Sequence, residues 1–183
     1  MNYLIAGMKH CGKTTHGKAL AKHFRCSFYD TDDLIEREHL ERTGEKLTCR
    51  EFFKQFGAEA FKEIEADVFR KLYEKLRRNN SSHVISLGGR LACNPDLEEE
   101  LKNFGLFIYI KTEPKLLFKR VMDRGRPPFL SAENPYDDFL RIYEEREPYF
   151  EKYAGLVIEL TDEPLYKIRR EFIDKVERYI DGR

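Results

Sequence analysis

Eight residues near the N-terminus, Gly7-Met8-Lys9-His10-Cys11-Gly12-Lys13-Thr14, follow the spacing G-x-x-x-x-G-K-[ST]. Each residue type has a use at its place. Glycines at 7 and 12 let the backbone curl until several N–H groups face one anion. A helix starting just after the loop would add its positive N-terminal end. Lys13 would reach the β- and γ-phosphates of ATP, and the Thr14 hydroxyl would ligate Mg²⁺. Lys9, Cys11 and Thr15 complete the expected ATP contacts. Two glycines at this distance occur by chance at about 1 in 200 positions, and adding Lys and Ser/Thr lowers a chance match in such a chain to the order of one percent. The plain alternative is an ordinary glycine-rich turn. Cys11 has two readings as well. A thiol near a helix N-terminus can be acidified and reactive, or Cys11 is simply a small residue at a tolerant position.

Asp30-Thr31-Asp32 follows a second strand-like run, Ser27-Phe28-Tyr29. In a parallel sheet the C-terminal ends of the strands share an edge with the phosphate loop. Two carboxylates there suit two roles: one holds Mg²⁺ through water, and the other accepts the proton of an attacking hydroxyl. Helix capping is the alternative for both. Residues 124–135 hold one Gly, three Pro and two Arg, the composition of a loop. A kinase must keep water off the γ-phosphate, and a closing lid carrying Arg126 would do this while delivering charge. A solvated basic loop is the competing reading.

These groups need elements to position them. Tyr3 to Ala6 reads as a strand ahead of the phosphate loop, and Lys13 to Phe24 as the helix behind it. Leu34 to Leu40 is predicted helical. Thr48 with Glu51 forms a capping-box signature, and Gly57 is predicted to break the chain before a long helix ending near Arg78. Further strands are expected at His83 to Leu87, Leu106 to Ile110 and Leu156 to Leu160. Further helices are expected at Pro95 to Lys102, Pro114 to Met122, Tyr136 to Tyr153 and Glu163 to Ile180. Alternating strands and helices predict an α/β fold, a parallel sheet with helices on both faces.

The chain has 183 residues, 33 basic and 33 acidic, and 41% apolar composition. That suits a single domain over residues 1–183, with a core that folds without disulfides. Balanced charge gives no reason to expect nucleic acid or membrane as a partner. The four cysteines show no CxxC pair or zinc-ligand spacing and read as reduced thiols. No apolar run approaches the roughly 20 residues of a membrane span. A cytoplasmic monomer is the expectation.

From these motifs the chain resembles the shikimate kinases over nearly its whole length. Phe28-Tyr29-Asp30-Thr31-Asp32 is similar to that family's F-x-D-x-D segment. Phe61-Lys62-Glu63-Ile64-Glu65 resembles its F-R-x-x-E, and Gly88-Gly89-Arg90 its triple-glycine turn. Arg126-Pro127 resembles the R-P of its lid, and Arg146-Glu147-Pro148-Tyr149 its R-x-P-x-Y stretch. The resemblance implies a P-loop NTPase fold, three-layer α/β/α with a five-stranded parallel sheet, a mobile lid, and an acceptor-binding helical segment over residues 33–78. It implies Asp30 as the Mg²⁺ aid and Asp32 as the base that contacts the substrate hydroxyls. It places Lys62, Gly88, Gly89, Arg90 and Arg146 around the acceptor. Arg120 would stack on adenine, with Pro164 packing on its other side. The implied reaction transfers the γ-phosphate of ATP to a small carboxylated alcohol, shikimate first.

Two positions depart from the family pattern. Lys62 stands where an Arg grips the acceptor carboxylate, so a two-pronged fork becomes a point charge. Arg90 stands where a third glycine is expected, and it would be strained if that position needed φ > 0. Either change leaves two other readings open: a kinase of the same fold acting on a gluconate-like acid or a nucleotide, and a nucleotide-binding regulatory protein without kinase activity.

Overall fold

A computed structural model describes residues 1–127 and 129–182. Pro128, inside the expected lid, and Arg183 lie outside the described residues. Five short runs form β1 (Tyr3–Ala6), β2 (Ser27–Asp30), β3 (His83–Ser86), β4 (Leu106–Thr112) and β5 (Leu156–Leu160). All pair in parallel in the order β2-β3-β1-β4-β5. The central β1 is buried throughout. Burying Leu4 and Ile5, both 0% exposed, stabilises the sheet by roughly 1.5–3 kcal/mol each.

The helices are α1 (Lys13–His23), α2 (Thr31–Thr43), α3 (Cys49–Arg77), α4 (Glu98–Asn103), α5 (Pro114–Met122), α6 (Pro135–Tyr153) and α7 (Leu165–Asp181). Right-handed crossovers put α1, which leads toward β2, on the face opposite the connections that run the other way along the sheet. Helix α7 joins α1, with Phe172 stacked on His16 at 5.0 Å. The other face is covered by α3, α4 and α6. There Phe69 meets Phe104 at 5.6 Å and Tyr109 meets Phe150 at 5.2 Å. The three-layer arrangement expected from the resemblance is the one observed.

Several boundaries differ from expectation for physical reasons. Helix α2 starts at Thr31, three residues early, because the Asp30 side chain caps it and accepts from Asp32 N at 3.2 Å. The expected break at Gly57 is present: its φ of 85° and ψ of −175° are non-helical, so α3 is two helical stretches joined at a kink, a conformation glycine adopts freely. The Thr48–Glu51 capping box is made in both directions. The segment after Pro95 divides into a 3₁₀ turn, Pro95–Leu97, and α4. Ile35, Phe52, Ile64 and Val68 form a second apolar cluster that fastens α2 to α3. Among the described residues no helix is long and apolar enough to cross a membrane.

Candidate active site

The loop between β1 and α1 has positive φ at Gly7 (141°), His10 (68°) and Gly12 (102°). Alternating left-handed residues turn successive N–H groups inward and make an anion-binding concavity. A Cβ on Gly7 would stand 2.7 Å from the Ile110 carbonyl oxygen and 2.9 Å from Cys11 Sγ, so only glycine fits there. His10 was not foreseen as a left-handed residue. Histidine enters that region more readily than most non-glycine residues, and nothing in the local pattern marked it. Burial, then the charges of Arg124, Lys9 and Lys13, lower the His10 pKa to about 4. The loop is thus a concentration of positive charge that suits a polyphosphate. Lys13 Nζ donates to the carbonyls of Gly7 (2.9 Å) and Met8 (3.0 Å) within the loop.

Cys11 is 1% exposed, and burial raises its pKa despite the opposing influence of Lys13. The reactive-thiol reading is therefore corrected. The helix terminus is near, but desolvation of a thiolate outweighs it.

Beside the loop, Thr14 Oγ1 donates to Asp30 Oδ2 at 2.7 Å. No group of three or more His, Cys, Asp or Glu among the described residues could hold a metal ion alone. A hydroxyl and one carboxylate fit Mg²⁺, which takes few protein oxygens and completes its shell with water and substrate phosphates.

Across the cleft, Gly88 N donates to Thr31 Oγ1 at 2.7 Å, tying the turn after β3 to the first turn of α2. A Cβ on Gly88 would lie 2.9 Å from Asp32 Oδ1 and 3.0 Å from Glu65 Oε1. The two carboxylates thus converge on one glycine. Asp32 keeps solvent access at the cleft mouth, yet burial and then Asp30 raise its pKa, against Lys13 and Lys9. Gly89 approaches the phosphate loop itself, since a Cβ there would sit 3.6 Å from Lys9 N. Arg146 Nη1 donates to the Gly89 carbonyl at 3.4 Å. Arg90 has φ −115°, so its side chain costs no backbone strain. Lys62 Nζ is 3.1 Å from Asp96 Oδ2.

Glu65 was not foreseen as a site residue. It is 3% exposed, and burial, then Asp32, push its pKa to about 8 against Arg90 and Arg146. The available signal was an acidic residue on the apolar stripe of α3, four positions after Phe61 and three before Val68.

On the far side of α1, Arg120 Nη2 is 4.0 Å from Asp162 Oδ1, which brings it to the turn that ends in Pro164, the N-cap of α7. In the 124–135 loop, Arg126 Nη1 donates to the Leu130 carbonyl. Leu130 is fully buried in the main core. The loop is anchored by this leucine, which its polar composition had hidden.

The chain matches the family described as shikimate kinase over residues 9–177. It is 30% identical to a shikimate kinase of Thiobacillus denitrificans over 176 residues, 96% of this chain and 90% of that protein. A shikimate kinase of Caldanaerobacter subterraneus subsp. tengcongensis is 29% identical over 172 residues, 94% of each chain. A structure of the shikimate kinase from Acinetobacter baumannii in complex with shikimate superposes with a TM-score of 0.82 at 26% identity, over 99% of this chain and 93% of that one.

Proposed function

This chain belongs to the shikimate kinase family, and on that premise we propose that it transfers the γ-phosphate of ATP to a hydroxyl of shikimate, giving shikimate 3-phosphate and ADP. The observation that carries the reading is the place of the Gly88-Gly89 turn. It touches Asp32 on one side and the phosphate loop at Lys9 on the other, so an acceptor resting on it lies between a base and a γ-phosphate.

Asp32 takes the proton as the acceptor oxygen bonds to phosphorus and the bond to ADP breaks. A carboxylate with a raised pKa is the better base for this step. Lys13 exchanges its two loop carbonyls for phosphate oxygens as the charge develops. Thr14 and Asp30 hold Mg²⁺, which when bound neutralises charge on the phosphates. Gly7, Lys9, Cys11, Gly12 and Thr15 contact the phosphates, in the case of buried Cys11 through the backbone. Arg120 and Pro164 bracket the adenine. Arg126 reaches the transferring group after releasing Leu130, with Gly125 at φ 89° as the pivot. Gly88, Gly89, Arg146 and either Lys62 or Arg90 hold the acceptor. One copy of the chain carries every group named, so a monomer suffices, and we place it in the cytoplasm without nucleic-acid or membrane partners.

Coupled ADP release over a panel of acceptors tests this. Release with shikimate is expected. Release only with gluconate or a nucleotide would move the acceptor, and ATP binding with no acceptor-dependent release would leave a regulatory protein.

A further inference from the structure

The resemblance expects an arginine at position 62 to grip the acceptor carboxylate. Lys62 instead pairs with Asp96, at the groove lined by Glu59, Glu63 and Arg70 on the outer flank of α3. Both partners are substantially exposed, so the pair contributes little and is screened by solvent. Lys62 is loosely held there, and what decides the matter is which cations the pocket already contains.

Arg90 leaves the Gly88-Gly89 turn in an unstrained conformation. The 3₁₀ segment after it fixes its backbone: Cys93 N donates to the Arg90 carbonyl at 2.8 Å, and Leu91 and Ala92 are fully buried. Its guanidinium lies over the Phe53 ring, 5.8 Å from the centroid. Arg146 arrives from α6 and bonds the carbonyl of Gly89, the residue next to Arg90. After burial, the charge that most depresses the Arg146 pKa is that of Arg90. Burial and Asp32 raise the Glu65 pKa to about 8 against Arg90 and Arg146, which weakens Glu65 as a counter-charge to the two cations. Two guanidinium groups, one over an aromatic face and one half-buried and bonded to the carbonyl of the adjoining residue, supply the fork-shaped donors that a carboxylate takes.

We propose that Arg90 and Arg146 together form the carboxylate clamp of the acceptor pocket, in place of a cation at position 62. Arg90 is then a specificity-determining residue of this chain, and Lys62 is an outer charge. The inference rests on the reading of the chain as a kinase of a carboxylated acceptor.

The test compares shikimate with its methyl ester, which keeps the hydroxyls and loses the negative charge. ADP release and titration calorimetry are run on wild type, R90G, R90K and K62M. R90G is expected to weaken shikimate KM and Kd by about 10–100-fold, the loss of one charge-assisted bond, while ester KM moves less than about threefold. R90K should fall between wild type and R90G, and K62M should change shikimate binding less than R90G does. An unchanged Tm and unchanged ATP affinity by calorimetry show that R90G is folded. An equal loss with both acceptors, an unchanged shikimate KM in R90G, or a larger effect in K62M would overturn the clamp and leave the kinase reading intact. Wild type that binds shikimate in an Arg90-dependent way without turnover would keep the clamp and remove the activity. Wild type that binds no shikimate overturns both.

Discussion

Thr14 Oγ1 and Asp30 Oδ2 are joined by a 2.7 Å hydrogen bond, which links the first turn of α1 to the end of β2. The donation points the hydroxyl proton at Asp30 and leaves the oxygen lone pairs free to face a cation. Asp30 meanwhile caps α2 through its other oxygen. Replacing Thr14 by Val keeps the shape and removes the ligand. We expect T14V to lower kcat by about 100-fold or more and to raise the Mg²⁺ needed for half-maximal rate, with T14S close to wild type. D30N should shift the Mg²⁺ curve in the same direction. ADP release against free Mg²⁺ reads both, and unshifted curves would remove Thr14 and Asp30 from the metal.

Lys13 presents the same economy of contacts. Its ammonium holds the carbonyls of Gly7 and Met8, so the loop is already folded around the charge we propose for phosphate. K13M should lose roughly 10²–10³-fold or more in turnover. It should also lose most of the rise in Tm that ATP gives the wild type, because ligand stabilisation scales with affinity. Retained turnover would contradict the assigned role.

The features legible in the sequence were those written in consecutive residues. The phosphate loop, the Thr48–Glu51 box and the acidic turn each need only a few neighbouring side chains and one adjoining element. What stayed hidden depends on approach between distant segments. Glu65 faces Asp32 because α2 and α3 fold back on each other; its place on the apolar stripe of α3 hinted at burial, but the carboxylate of Asp32 beside it, which raises its pKa further, comes from a distant segment. Leu130 sits among polar loop residues and is buried only because the main core receives it. Arg90 looked strained on the assumption that its position repeats a glycine conformation, whereas the chain there is already turning into the 3₁₀ segment Leu91–Cys93.

Gly88 offers a steric probe of the acceptor side. Its missing Cβ would press on Asp32 Oδ1 and Glu65 Oε1, the ends of two side chains that can rotate away. G88A should therefore fold, with Asp32 displaced from its proposed place beside the acceptor hydroxyl. Misplacement of a reacting group by about 1 Å costs on the order of 10²-fold. The expected result is a fall of that order in kcat/KM for shikimate with ATP affinity, read by calorimetry, unchanged. Equal loss of ATP binding would indicate a general disturbance of the site.

Glu65 gives a prediction about stability. Its folded-state pKa is about 8, raised above its ordinary value of 4.5. Between those values the folded chain holds a proton that the unfolded chain has released. Unfolding therefore becomes easier as pH rises through this window, and the contribution of the protonated carboxyl, complete below about pH 4.5, is lost by about pH 8. The slope can be no steeper than about 1.4 kcal/mol per pH unit. Asp32 shares the cleft and also has a raised pKa, so the wild-type curve contains both groups. E65Q isolates one of them, because glutamine resembles the protonated acid and does not titrate. Urea unfolding at pH 5, 6, 7 and 8 should show wild type losing stability relative to E65Q with each step upward. Parallel curves would mean that Glu65 is ionised throughout and paired with Arg90 and Arg146, and the two guanidinium groups would then have their counter-charge.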